Sequence, residues 1–176
     1  MKLTKILAVA TLSATLTALS LPALPALAAT TSCWSLYNTE GAMKRETNTS
    51  RQNHGRARLP LDQELSKVAR LHSQQMAKAG YAFHTKGAQF ESLITGNWTV
   101  VHENVGSAQV INADPTYDIT RLQTEFMASP THRENILTAG SDYMGVGVVR
   151  KNGYLYVTVL FVEGGNPGTS LRVPTC

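Results

Sequence analysis

The stretch from Tyr154 to Val162 reads Tyr-Leu-Tyr-Val-Thr-Val-Leu-Phe-Val, apolar on both of the faces that alternate along a strand. Such a strand has to be covered on both sides, most simply by helices. Just before it, Asn152-Gly153 suits the positive φ values of a two-residue hairpin turn, with Gly145 to Lys151 as the partner strand. The expected core is a small antiparallel sheet between helical layers, an α+β chain arranged as an α/β/α sandwich. The tail from Gly164 to Pro174 is punctuated by Gly and Pro and is expected to be irregular.

Helices that could supply those layers are marked in the chain. From Leu61 to Ala79, Leu65, Val68, Ala69, His72, Met76 and Ala79 recur at spacings of three and four, so one face is apolar. Pro60 and Asp62 stand at the start of this helix, and Gly80 follows as a left-handed cap. Glu40 to His54 is compatible with an earlier helix ended by Gly55, although Thr47, Asn48, Thr49 and Ser50 weaken its propensity. A third begins at Asp114-Pro115, an N-cap followed by a residue with no N–H to lose, and carries Ile119, Leu122 and Phe126 on one face. Ser129-Pro130 restarts a short helix through Leu137, capped by Ser129, or by Thr131 with Glu134 completing a capping box.

The chain's 176 residues suit one domain, and 43% hydrophobic with 16% charged residues excludes disorder for the bulk. Residues 1–28 read as a secretory signal peptide: Lys2 and Lys5, an apolar or small stretch from Ile6 to Leu21, and the cleavage pattern Ala26-Leu27-Ala28. Thr11, Ser13, Thr15, Thr17 and Ser20 interrupt that stretch, so it does not resemble a membrane anchor, and no later segment does. The expected organisation is a leader at 1–28, an extension at 29–39, the folded domain at 40–163 and a tail at 164–176. The protein is expected to be secreted, with no transmembrane anchor once the leader is removed. The formal charge of +4 falls by two when Lys2 and Lys5 leave, too little to indicate a nucleic-acid partner. An oxidising compartment favours a bond between Cys33 and Cys176, worth about 5 kcal/mol in the chain-entropy model. The sequons at Asn48 and Asn97 matter only in a glycosylating pathway.

Four polar residues stand out as candidates for chemistry: His84, Glu103, Ser129 and His132. Neutral imidazoles are common zinc ligands, and a carboxylate beside them can bind the metal or activate its water. The spacing matches no linear metal motif, so tertiary structure has to assemble any such site. His72 falls on an apolar helix face and reads first as a core histidine satisfied by a hydrogen bond. Glu125, four residues before Ser129, lines the same cleft if the helix is continuous, and is otherwise solvated. No G-x-S-x-G elbow or phosphate-cradling glycine loop is present, and Ser129 is more economically a cap than a nucleophile.

Taken in order, Phe83-His84, Glu103-Asn104-Val105-Gly106, the run from Phe126 to Leu137, Met144-Gly145-Val146-Gly147-Val148 and Tyr156 to Phe161 resemble the motifs of the CAP superfamily. That group holds the cysteine-rich secretory, antigen five and pathogenesis-related proteins and is also known by its SCP domain. The likeness is closest to its secreted bacterial branch. The most specific part is Ser129-Pro130-Thr131-His132-Arg133-Glu134-Asn135-Ile136-Leu137. The resemblance implies an α/β/α sandwich with a central cleft of two His and acidic residues that binds zinc or another divalent cation in some members. His84 and His132 match the two His positions and Glu103 the first acidic one. The second acidic position aligns with Ser129, with Glu125 one turn earlier as a substitute. His102 stands where the family usually has Gly, Val159 where Gln is frequent and Phe126 where Trp is frequent.

Two functions remain open at this point. One is a non-enzymatic secreted binding protein, its cleft of His84, Glu103 and His132 holding a divalent cation and engaging a lipid, a sterol or an extracellular protein. The other is a metal-dependent hydrolase, a peptidase or cell-wall enzyme, with Glu103 as general base. A third, structural reading makes the polar cluster a hydrogen-bonded clasp between helices and sheet.

Overall fold

The computed structural model describes residues 33–87 and 91–171, all within the compact unit Thr31–Cys176. The expected leader over residues 1–28, and Cys176 with the pairing that depends on it, lie outside the described residues. Six elements match or extend the expected ones: α1 (Cys33–Asn53), α2 (Gln63–Ala79), α3 (Pro115–Ala128), α4 (Pro130–Leu137) and the hairpin of β2 (Tyr143–Lys151) with β3 (Tyr154–Thr169). A seventh, β1 (Ile94–Gln109), has no counterpart among the sequence expectations. The sheet is antiparallel with order β1-β3-β2, so the doubly apolar strand is the central one. No described helix is long and apolar enough to cross a membrane.

The two faces of β3 sort into two cores. Leu155, Val157, Val159 and Phe161 pack with Val146 and Val148 of β2 against Met43 of α1, Ile119, Leu122 and Phe126 of α3 and Ile136 of α4. Leu160 and Val162 face Leu65, Val68 and Ala69 of α2. Each such side chain, buried fully, contributes about 1.5–3 kcal/mol, which is why the alternation along this strand forces a helical layer on both sides. Within the apolar run of β3, Thr158 is wholly buried. Its hydroxyl lies 2.9 Å from Ser73 Oγ and 3.2 Å from His72 Nδ1, both on α2.

α2 lies against β2 because Gly145 and Gly147 present no side chains to it. A Cβ on Gly145 would come within 2.6 Å of the Leu65 carbonyl carbon, and one on Gly147 would meet the backbone of Ala69 and Arg70. Side chains also seal the outer edge of β2: Ser66 Oγ accepts from the Val146 N–H at 3.1 Å and Glu40 Oε1 from the Val148 N–H at 3.4 Å. Such sealing removes an open edge on which another chain could pair. Glu40 is itself held by a bidentate pair with Arg70, at 2.7 and 2.6 Å.

Several expectations need correction. α1 begins at Cys33 rather than Glu40, so residues 33–39 are helical and not part of an extension. The polar residues that weaken its propensity are used in packing: Thr47 donates to Gln123 Oε1, and Asn48 brackets Leu59 by accepting from its N–H and donating to its carbonyl. Asn48 is 1% exposed, which closes that sequon in the folded chain, whereas Asn97 is exposed. Gly164 to Thr169 continues β3 rather than forming an irregular tail, because residues 94–98 of β1 pair with it through two register shifts. At Asp62, Gly80 and Asp114 the caps stand as expected. Asn152 and Gly153 take φ values of 50° and 77° at the hairpin turn.

Candidate functional site

Glu103 and Asn104 are neighbours on β1, an edge strand, and point to opposite faces of the sheet. Val105 packs with Met76 of α2, whereas a Cβ on Gly106 would press on Leu122 and Phe126 of α3, so odd residues face α2 and even ones face α3. This one dipeptide therefore reaches both helical layers.

On the α2 side, Glu103 Oε2 accepts from the Thr85 N–H at 3.0 Å and pairs with His84 Nδ1 at 2.9 Å. Its other oxygen lies 3.1 Å from Nδ1 of His72, a residue only 1% exposed. Burial by itself would raise the Glu103 pKa, but the contacts with His72, Thr85 and His84 outweigh it and hold the carboxyl below its ordinary value. A polar chain thus runs from Ser73 through Thr158, His72 and Glu103 to His84, from the core to the surface.

On the other side, the buried Asn104 donates to the His132 carbonyl at 3.0 Å and accepts from Asn135 Nδ2 at 2.9 Å. Asn135 Nδ2 also reaches the Glu103 carbonyl at 3.2 Å. These bonds fasten α4 to the edge strand. The His132 ring rests against Phe126, centroids 4.9 Å apart, and faces His84 at 6.3 Å with a tilt of 32°. Burial first, and then the neighbouring His84, lower the His132 pKa, favouring a neutral imidazole.

The structure therefore brings His84, Glu103 and His132 together and leaves the other candidates apart. His102 faces away from Glu103 along the strand, and its Nε2 is 3.7 Å from Glu163. Glu125 does not share a continuous helix with Ser129, because the helix ends at Ala128; its carboxylate pairs with Arg121 at 3.1 Å. Ser129 occupies the N-cap position of α4, but its side chain makes no capping bond, and Thr131 lies inside the helix. Its N–H instead closes α3 on the carbonyls of Glu125 and Phe126. Among the described residues, no three His, Cys, Asp or Glu side chains converge as a set able to hold a metal.

His72, Asn104 and Asn135 are the participants that sequence reasoning left without a role here. His72 is a core histidine as expected, yet it also grips Glu103. Asn104 would have been informative only with β1 recognised, since a buried Asn within a strand is disfavoured and calls for specific partners.

Comparisons with known proteins agree with this architecture. Residues 44–162 match the model of the cysteine-rich secretory protein family, CAP. An uncharacterised Bacillus subtilis protein, YkwD, is 32% identical over 108 residues, which cover 58% of this chain and 39% of that protein. An extracellular protein of Bacillus anthracis containing an SCP domain superposes with a TM-score of 0.58 at 25% identity, covering 73% of this chain and 41% of that one. An outer surface protein of Borrelia burgdorferi gives a TM-score of 0.60 at 17% identity, with 72% of this chain and 92% of that one covered, a likeness of fold alone. This chain accordingly spans about two fifths of the length of the two Bacillus relatives. With a family model matched over most of its length, the chain belongs to the cysteine-rich secretory protein (CAP) family.

Proposed function

We propose that the protein is a secreted, non-enzymatic binding domain whose His84–Glu103–His132 cleft takes a divalent cation of modest affinity and engages an extracellular lipid or protein partner. The observation that carries the reading is the state of Glu103. A general base needs a free lone pair aimed at water and a pKa near the working pH. Glu103 has one oxygen engaged by Thr85 and His84 and the other buried 3.1 Å from His72 Nδ1, and its pKa is lowered. That is the arrangement of a residue that orients imidazoles rather than one that activates water.

For a cation the two imidazoles offer a partial donor set. A carboxylate on one ring nitrogen of a histidine fixes its tautomer and ring orientation. Glu103 holds His84 in this way through Nδ1, leaving Nε2 as the ligating atom, and His132 stands opposite with its neutral form favoured. Two imidazoles are fewer than the three or four protein ligands of ordinary zinc centres, so the remaining positions fall to water or to the partner. When bound, the cation would supply a charge able to draw in an anionic or carbonyl group.

Zinc titrated by calorimetry into metal-stripped protein near neutral pH tests the cation. One-to-one binding lost in both His84→Ala and His132→Ala is expected; heat that neither variant alters would overturn it. Chelator-sensitive digestion of casein or peptidoglycan that Glu103→Gln abolishes would replace the non-enzymatic reading with the hydrolase.

A further inference from the structure

Four of the five large apolar side chains left exposed among the described residues, Tyr81, Ile111, Tyr117 and Tyr154, are 41% to 63% exposed and gather at one end of the molecule, where α2 finishes and the β2–β3 hairpin turns. Their contacts place them there. Tyr81 packs on Phe83 with 5.4 Å between ring centroids and Tyr154 on Tyr156 with 6.5 Å, and Phe83 and Tyr156 share one cluster with Met76 and Ala77 near the end of α2. The Gly153 carbonyl accepts from the Val110 N–H at 2.8 Å, which sets Ile111 beside the hairpin, and the Ile111 N–H donates to Asp118, next to Tyr117. Lys78 in the last turn of α2 and Arg150 and Lys151 at the hairpin are exposed, and none of the three joins an ion pair with a described residue.

We infer that this end of the molecule binds an acidic glycan chain. Charge sets the sign of the ligand. The carboxylates here are engaged, Asp118 buried against the Ile111 N–H and Asp114 capping α3 through the Thr116 N–H, while the three cations stand unpaired. The segments outside the described residues hold no Asp or Glu, so a complementary anion on this surface belongs to another molecule. The rings set its class. A tyrosine offers a flat apolar face and a polar tip, and a sugar, with C–H faces and hydroxyls, uses both. Tyr81 and Tyr154 stack on Phe83 and Tyr156 rather than on each other, which spaces them as platforms for successive rings of a polymer and not as a continuous apolar pool. A bilayer calls for aliphatic anchors, and Ile111 is the one aliphatic side chain of the four. An acidic peptide would meet the charges and leave the ring faces unused. Tyr154 pairs with Gln109 and Leu160 with Glu103, roughly 20 Å apart along β1 at about 3.3 Å per residue, so the inference goes beyond the cation cleft and requires no metal.

The test is calorimetric titration of hexagalacturonate, maltohexaose and a linear hexaphosphate into the purified protein with a chelator present. Hexagalacturonate is expected to bind saturably and maltohexaose about tenfold more weakly, three solvated ion pairs being worth about twofold each. Lys78→Gln combined with Lys151→Gln should weaken hexagalacturonate about fourfold, flatten its salt dependence and leave maltohexaose unchanged. Tyr81→Ala and Tyr154→Ala, with their folds checked by thermal melting, should each weaken both sugars about fivefold and leave hexaphosphate, which has the charge without the ring faces, unaltered. No binding of hexagalacturonate, equal affinity for the two sugars, or indifference to the tyrosine variants would overturn the inference. Sedimentation with phosphatidylglycerol vesicles that Tyr81→Ala abolishes would also overturn it, by assigning the surface to a membrane. Retention of hexagalacturonate binding in His132→Ala is expected, which keeps this site's fate distinct from that of the cation cleft.

Discussion

A single methyl group added to Gly147 would be driven into the backbone of α2. The new Cβ would lie 2.5 Å from the Ala69 carbonyl oxygen and closer still to Ala69 C and Arg70 N, where ordinary contact begins at 3.4 Å. Because these are main-chain atoms, no rotamer change relieves the clash, and helix and strand have to part by about 1 Å. A gap of that size forfeits a quarter to a half of the dispersion well. Leu65, Val68, Leu160 and Val162 share the interface, each worth about 2 kcal/mol in burial, so the loss there is about 2–4 kcal/mol. The bonds from Ser73 Oγ to the Gly147 carbonyl and from the Val146 N–H to Ser66 Oγ are stretched as well, at about 1 kcal/mol each. We expect Gly147→Ala to cost about 4–6 kcal/mol, a large share of the roughly 5–15 kcal/mol typical of a domain, and to lower Tm by about 8–24 °C. Circular dichroism melts provide the assay, with Gly165→Ala as control, since a Cβ there meets nothing within 4 Å. A Gly147→Ala melt indistinguishable from that of Gly165→Ala would refute the close-approach account of the Met-Gly-Val-Gly-Val motif.

Three further outcomes follow from particular contacts. Glu103 has its folded pKa held below the ordinary 4.5, so its stabilisation is present above that value and is lost as pH falls through the folded one. Glu103→Gln should flatten the acid limb of a urea-midpoint profile below about pH 4.5, and a limb as steep as wild type would remove Glu103 from the account. Arg51, 1% exposed, donates to the carbonyls of Ala57, Ile136 and Thr138. Arg51→Lys loses the planar fork and should cost about 2–3 kcal/mol by denaturation; an unchanged midpoint would show that the fork is dispensable. Asn104→Ala releases α4 from β1 and should weaken zinc binding about tenfold in calorimetry, whereas unchanged affinity would mean that packing alone places His132.

The layered fold was legible because β3 is apolar on both faces and α2 carries its caps, Asp62 and Gly80, at the ends of an apolar stripe. β1 was not, and the reason lies in its residues. Its run of Trp-Thr-Val-Val-His-Glu-Asn-Val-Gly-Ser is preceded and entered by register shifts near Gly96 and Trp98, and buried and exposed residues do not alternate along it. The same residues that hide the strand build the site. Glu103 and the two histidines were assigned through motif likeness, while His72 was read only as core because periodicity reports burial and not the partner met there. Asn135 lies inside the most specific motif, yet its bond to Asn104 depends on a strand that periodicity did not reveal.

The position of β1 at the sheet's edge explains how histidines from two separate layers come to face each other. In a central strand, Glu103 and Asn104 would look into different cores with a neighbouring strand between them. At the edge nothing intervenes: Glu103 draws the segment carrying His84 from the α2 side, Asn104 and Asn135 draw α4 with His132 from the other, and the two rings meet around the strand's open flank. The bonds that do this are made by the carboxylate and amides themselves, in a partly dry setting where leaving one unmade costs about 1–3 kcal/mol. A carboxylate released to activate water would let go of His84 and Thr85. The arrangement therefore ties the placing of the two rings, and with it the proposed binding site, to the docking of both helical layers.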